Sequence, residues 1–134
     1  METEIRTLLY TAIGNLGSSE GVTVSYPNVA LDATKLDKYF KVSLLPVVPE
    51  TKGITSGWSI HKWLFQVSVF VRDGVGEIKP LELVDKLRQA FPYNFKFNGA
   101  ERDYTVIAQA AVAPPIQDGG WYLVPVTFRV MAVN

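Results

Sequence analysis

The chain has 134 residues, with thirteen basic and thirteen acidic side chains, no cysteine, 48% apolar residues and only 19% charged ones. That length fits one domain, residues 1–134, able to remove roughly two thirds of its unfolded surface from water without disulfide or metal staples. Balanced charge argues against strong attraction to nucleic acid or an anionic membrane, the lack of cysteine excludes thiol chemistry, and low charge density leaves little repulsion between copies.

Met1-Glu2-Thr3-Glu4 is acidic where a secretory signal is basic, and no apolar run approaches the ~20 residues of a membrane span, so the chain is expected to be soluble and cytoplasmic when made. Ile5, Leu8, Leu9, Ala12, Ile13 and Leu16 keep the rhythm of an amphipathic helix, which predicts a helix from Thr3, as N-cap, to Leu16, with Gly17 as its stop. Val22 to Tyr26 is a short β-type run closed by Pro27 and Asn28, and Leu31 to Lys38 reads as a polar loop holding at most one helical turn. Phe40, Val42 and Leu44 then alternate with Lys41 and Ser43, the period of a half-buried strand, until Pro46 breaks it.

Pro46 to Ile60 holds two prolines and two glycines and is expected to be a long loop or mobile hairpin, cut first near Lys52 by a protease. Trp63, Phe65, Val67, Val69 and Val71 form the core side of the longest strand, with Leu64, Gln66, Ser68 and Phe70 opposite. Gly74 and Gly76 turn the chain into a second helix, with Pro80 in its first turn, Leu81, Val84, Leu87 and Phe91 as its buried stripe and Pro92 as its end. Phe95–Phe97 and Tyr104–Val112 are strand-like around an Asn98-Gly99 turn signal. In the closing strand Tyr122, Val124, Val126, Phe128 and Val130 face the core, and Pro125 predicts an edge or a bulge. The sum is an α+β sandwich, a mostly antiparallel sheet with two helices packed on one face.

Candidate chemistry is sparse. His61 is the only histidine, so a zinc site would need three carboxylates beside it and a Ser-His-Asp triad would have to recruit it without a Gly-x-Ser-x-Gly elbow; an ordinary residue entering a strand is the simpler reading. Glu50, Glu77, Glu82, Asp85, Asp103 and Asp118 show no spacing that pairs two of them as acid and base. Gly74-x-Gly76 lacks the lysine of a phosphate loop, and Trp58, Trp63, Trp121 and Tyr122 have too few basic neighbours for a base-stacking platform. No catalytic, cofactor-binding or metal-binding residue is assigned. The anomaly is on the second face of the strands: Tyr39, Leu64, Phe70, Trp121 and Leu123 fall where a sheet with helices on one side prefers polar residues. Trp58, Leu64, Phe70, Trp121 and Leu123 are therefore the candidate subunit or partner contacts.

Read in order, Tyr26-Pro27-Asn28-Val29, Phe40 to Pro46, Phe65 to Phe70, Ala90-Phe91-Pro92 and Gln117-Asp118-Gly119-Gly120-Trp121-Tyr122-Leu123-Val124-Pro125-Val126 resemble the tail terminators of long-tailed phages and prophages, of the lambda type. The resemblance implies a structural virion protein rather than an enzyme, without cofactor. It implies a ring, a hexamer, that caps the tail tube, ends its polymerisation and offers a surface to the head. Its implied partners are further copies of itself, the tail tube protein and the head–tail connector or neck proteins, with DNA passing through ungripped and no membrane. Its implied place is the head-proximal end of the tail, after assembly in the host cytoplasm. Two rivals stand beside it: another neck or tail-completion protein of the same phage, and a small-molecule enzyme or binding domain, which requires a deep pocket with converging polar groups.

Overall fold

The computed structural model describes residues 1–52 and 58–133, with backbone alone for 48–52 and 58. In chain order the elements are α1 (Glu2–Glu20), β1 (Thr23–Ser25), β2 (Lys38–Lys52), β3 (Trp58–Arg72), α2 (Ile78–Ala90), β4 (Lys96–Asn98), β5 (Asp103–Val106), β6 (Ala111–Val112), β7 (Ile116–Asp118) and β8 (Trp121–Val133). Among the described residues one eight-stranded sheet runs β1-β2-β3-β8-β5-β4, with β6 and β7 also pairing β8. Every pairing is antiparallel except that of β1 with β2. Both helices bury their apolar stripes in the same core, so the α+β class holds.

Helix α1 is longer than its sequence spacing suggested. It buries Ile5, Leu9, Ile13 and Gly17, starts with Met1 as N-cap, and ends at Gly21. Gly17 is not the stop. It lies inside the helix because the chain doubles back over it: Val22 N–H donates to Gly17 O at 2.7 Å, and a Cβ on Gly17 would stand 2.6 Å from the Val22 carbonyl oxygen. In α2 the buried stripe is Pro80, Leu83, Val84 and Leu87, continued by Phe91 at the C-cap, while Leu81 is exposed. Leu83 takes the place that the i, i+3 count had given to Leu81.

The expected break at Pro46 and edge placement of Pro125 are both overturned, and for one reason. In an antiparallel strand the N–H and C=O of one residue point to the same neighbour, so a missing donor matters only on one side. Arg72 N–H donates to Asp37 O, which turns the backbone groups of odd β2 residues toward β3 and those of Pro46 toward the outer edge. The β2–β3 ladder therefore continues past Pro46, opposite Trp63, with an irregularity between Val47 and Glu50, and reaches Lys52 opposite Trp58. Of the two readings of Pro46 to Ile60, loop or mobile hairpin, the pairing shows a hairpin, with strand over 46–52 and 58–60; its tip, 53–57, lies outside the described residues. Pro125 sits in a central strand, flanked by β3 along its whole length and by β5, β6 and β7 on the other side. Its carbonyl accepts from Ala113 N–H, so its absent donor faces the Pro114-Pro115 gap between β6 and β7, where no ladder bond is required.

Across β5 and β6 the run predicted as a single strand is interrupted. The paired residue moves from Val130 to Thr127 on β8 while the other strand advances from Val106 to Ala111, so Ile107–Ala110 bow out of register. Gly119 and Gly120, with φ of 56° and 85°, make the two-residue turn that closes β7 onto β8.

Candidate functional site

With the helices covering the inner face, the outer face of the sheet is set by register. Its side chains stand in rows across the strands: Arg72, Trp121 and Asp118; Tyr39, Phe70, Leu123 and Ile116; Lys41, Ser68 and Pro125; Ser43, Gln66 and Thr127; Leu45, Leu64 and Arg129; Val47, Lys62 and Met131. Two apolar patches are thus separated by a polar belt. Leu64 is six residues along β3 from Phe70, about 20 Å away. The sequence-derived contact residues therefore divide. Phe70, Trp121 and Leu123 come together, Leu64 belongs with Leu45 in the other patch, and the side chain of Trp58 lies outside the described residues.

The patch around Phe70 is a built aromatic cluster. Tyr39 and Phe70 stack at 4.5 Å between centroids with an 11° interplanar angle, and Trp121 meets Tyr39 edge-on at 5.0 Å and Phe70 at 6.1 Å. The Arg72 guanidinium lies 3.9 Å over the Trp121 ring while its nitrogens donate to the carbonyls of Ala33, Thr34 and Leu36. One side chain thereby fixes both a ring of the cluster and the loop that leads into β2, and each aromatic is held by its neighbours in a geometry worth about 0.5–1.5 kcal/mol per pair beyond burial. All four stay partly exposed, as do Ile116 and Leu45, each 50% accessible.

The outer face also gathers charge that the sequence displays as scattered. Lys41, Lys62, Arg72 and Arg129 stand on it in β2, β3 and β8, whereas its carboxylates among the described residues are Asp118 on β7 and Asp103 on β5, at the flank. Arg72 is the contributor that hydrophobicity counting misses, for it looks like one more surface cation until its position at the end of β3 sets it over Trp121.

The carboxylates with perturbed protonation are elsewhere, at the start of α1. Glu4 accepts from Tyr104 Oη at 2.8 Å and from the Glu101 N–H at 3.1 Å, and these bonds hold its carboxyl below the usual range. Burial alone would raise Glu2, but hydrogen bonds from Arg6 and from Trp63 Nε1 outweigh it and hold this carboxyl low as well. Burial, and then the bond to Glu4, push the Tyr104 hydroxyl above its ordinary value. These groups staple the helix to the sheet. His61 lies beside Ser59, with Nε2 3.4 Å from its Oγ, and stacks near Trp63. No group of three or more His, Asp or Glu is placed to hold a metal among the described residues. A cleft of about 730 Å³ between the start of β2 and α2 sets Asp37, Lys38, Lys79 and Glu82 around Val71 and Leu83. No helix among the described residues is long and apolar enough to cross a membrane.

Comparison with known proteins shows a family and a shared fold. The family model described as phage tail terminator protein matches residues 4–129. One solved structure superposes with a TM-score of 0.82 over 98% of this chain and 95% of its own at 15% identity, which shows a shared fold. No curated protein matches the sequence significantly.

Proposed function

The chain belongs to the phage tail terminator family, and from that premise we propose that copies of it close into a hexameric ring on the head-proximal end of the tail tube. The ring ends tube polymerisation and offers the surface to which the head's connector or neck proteins join. The family is one of structural tail proteins, which supports a place in the virion tail and a role carried by contact surfaces.

The observation that carries the reading is the preorganised cluster of Tyr39, Phe70 and Trp121, standing half-exposed on the helix-free face of the sheet. A sheet face serving a solitary domain is ordinarily polar, and rigid aromatics at such a site lose little entropy when a partner covers them. Phe70, Trp121 and Leu123 are the contacts assigned to a subunit or tail partner, with Leu64 in the separate patch beside Leu45. DNA passes through the ring without sequence-specific grip.

The test is made in the phage that encodes the chain. Its loss is expected to leave tails of uncontrolled length that do not join heads, seen by electron microscopy; normal tails joined to heads in its absence would sink the assignment. Phe70→Asp places a carboxylate within the cluster and is expected to cost several kcal/mol of association while circular dichroism shows the fold intact. Tails made with this variant should lack the terminal ring.

A further inference from the structure

The aromatic cluster has a chemical complement on the same chain. From Ala111 to Asp118 every residue is exposed, including Val112 and Ile116, and at the centre stand Pro114 and Pro115. Adjacent prolines favour a stiff, extended conformation, and segments of this kind dock on faces lined by tyrosine and tryptophan because little chain entropy remains to be lost. Neither proline has an N–H, so laying the segment against an apolar face strands no backbone donor there. Charge matches as well: Lys41 and Arg72 flank the cluster on its own face, and Asp118 closes the segment.

We infer that the Ala111–Asp118 segment of one copy docks on the Tyr39, Phe70 and Trp121 cluster of the next, giving the ring its subunit contact. This rests on the ring reading above. Within one copy the segment borders the cluster at Trp121 but is unable to lie over it, because Ala113 is bonded to Pro125 and Ile116–Asp118 are paired edge to edge with Trp121–Leu123. The cluster runs from β2 through β3 to the start of β8, and the segment borders β8 on its other side, so donor and receptor are adjoining but distinct parts of one face, and each copy gives its segment to one neighbour and receives a segment from another. Contacts of that kind are head-to-tail, and they close into rings when the rotation between copies allows.

The chain has no cysteine, so paired cysteines report the contact without background. Lys41→Cys and Asp118→Cys are introduced singly and together, and a short bismaleimide is added both to the concentrated protein and to tails assembled with it. The double variant is expected to give a ladder of linked copies, each single variant is expected to remain unlinked, and adding Pro114→Ser with Pro115→Ser is expected to abolish the ladder. A synthetic peptide of residues 111–118 should shift the NMR signals of Tyr39, Phe70 and Trp121 saturably, with about tenfold weaker binding when both prolines are serine, as loss of one modest hot spot implies. Absence of a ladder in both settings, linkage through single cysteines, linkage only to the tube protein, or a ladder indifferent to the prolines would overturn the contact. Failure of the terminator reading looks different: tail length would be normal without the protein, whatever the linking shows.

Discussion

At the scale of single residues, the sharpest constraints are Gly17 and the acidic start of α1. Gly17→Ala sets a methyl group against a backbone carbonyl that has nowhere to move without opening the helix cap, and overpacking of this kind is expected to cost about 1–3 kcal/mol, read from chemical denaturation. Sequence spacing took this glycine for a stop, because a close approach by residues five positions on leaves no trace in the helical period. The carboxyls of Glu2 and Glu4 are held below the ordinary value of 4.5 in the folded chain. Their contribution is therefore complete above that value and is lost as pH falls through the lowered ones. Acidification below pH 4.5 is expected to loosen the start of α1 first, with a change at the Trp63 indole that bonds Glu2, and Glu4→Gln should remove part of that acid dependence. Hydrogen exchange across residues 2–9 as a function of pH checks both.

At the scale of elements, periodicity located both helices and the strands β3 and β8, and the buried sides of these two agree with their alternation: Trp63, Phe65, Val67, Val69 and Val71 on one, Val124, Val126, Phe128 and Val130 on the other. Proline was misleading at Pro46, and at Pro125 as the mark of an edge though not of an irregularity, since residues 113–115 stand opposite only 124–125; whether a missing donor breaks a ladder depends on which neighbour it faces, a property of register that a single strand's sequence lacks. The candidate site was half legible for the same reason. Alternation placed Tyr39, Leu64, Phe70, Trp121 and Leu123 on the second face, but only cross-strand pairing sets Leu64 beside Leu45, Tyr39 against Phe70 and Arg72 over Trp121. The turn from β7 to β8 is the element most exposed to a single change. Gly120→Val forces a branched side chain into positive φ and is expected to cost about 1–2 kcal/mol, lowering the melting temperature without moving the helical circular dichroism signal.

At the scale of the whole molecule, the sheet's margins are guarded. The outer edge of β2 is covered by β1 only at Tyr39–Lys41, and beyond it Pro46 turns its donorless nitrogen outward; across the sheet, Pro114 and Pro115 interrupt β6 and β7. Prolines on open edges discourage indiscriminate strand pairing, so copies are left to meet through side chains. Pro46→Val is expected to raise light scattering on concentration and warming with little change in melting temperature, whereas a scattering curve like the parent's would show that this edge needs no guard. The order of the strands has a consequence for synthesis. The centre of the core is the β3–β8 pairing, in which Ile60 meets Val133 and Arg72 meets Trp121, and β8 follows all the other elements in the chain. A nascent subunit emerging from the ribosome therefore carries β3 with one side open until residues 121–133 are free, and folding waits on a non-local closure that is intrinsically slow. Copies become competent to associate only once residues 121–133 have paired with β3, which ties assembly to the closure of the core.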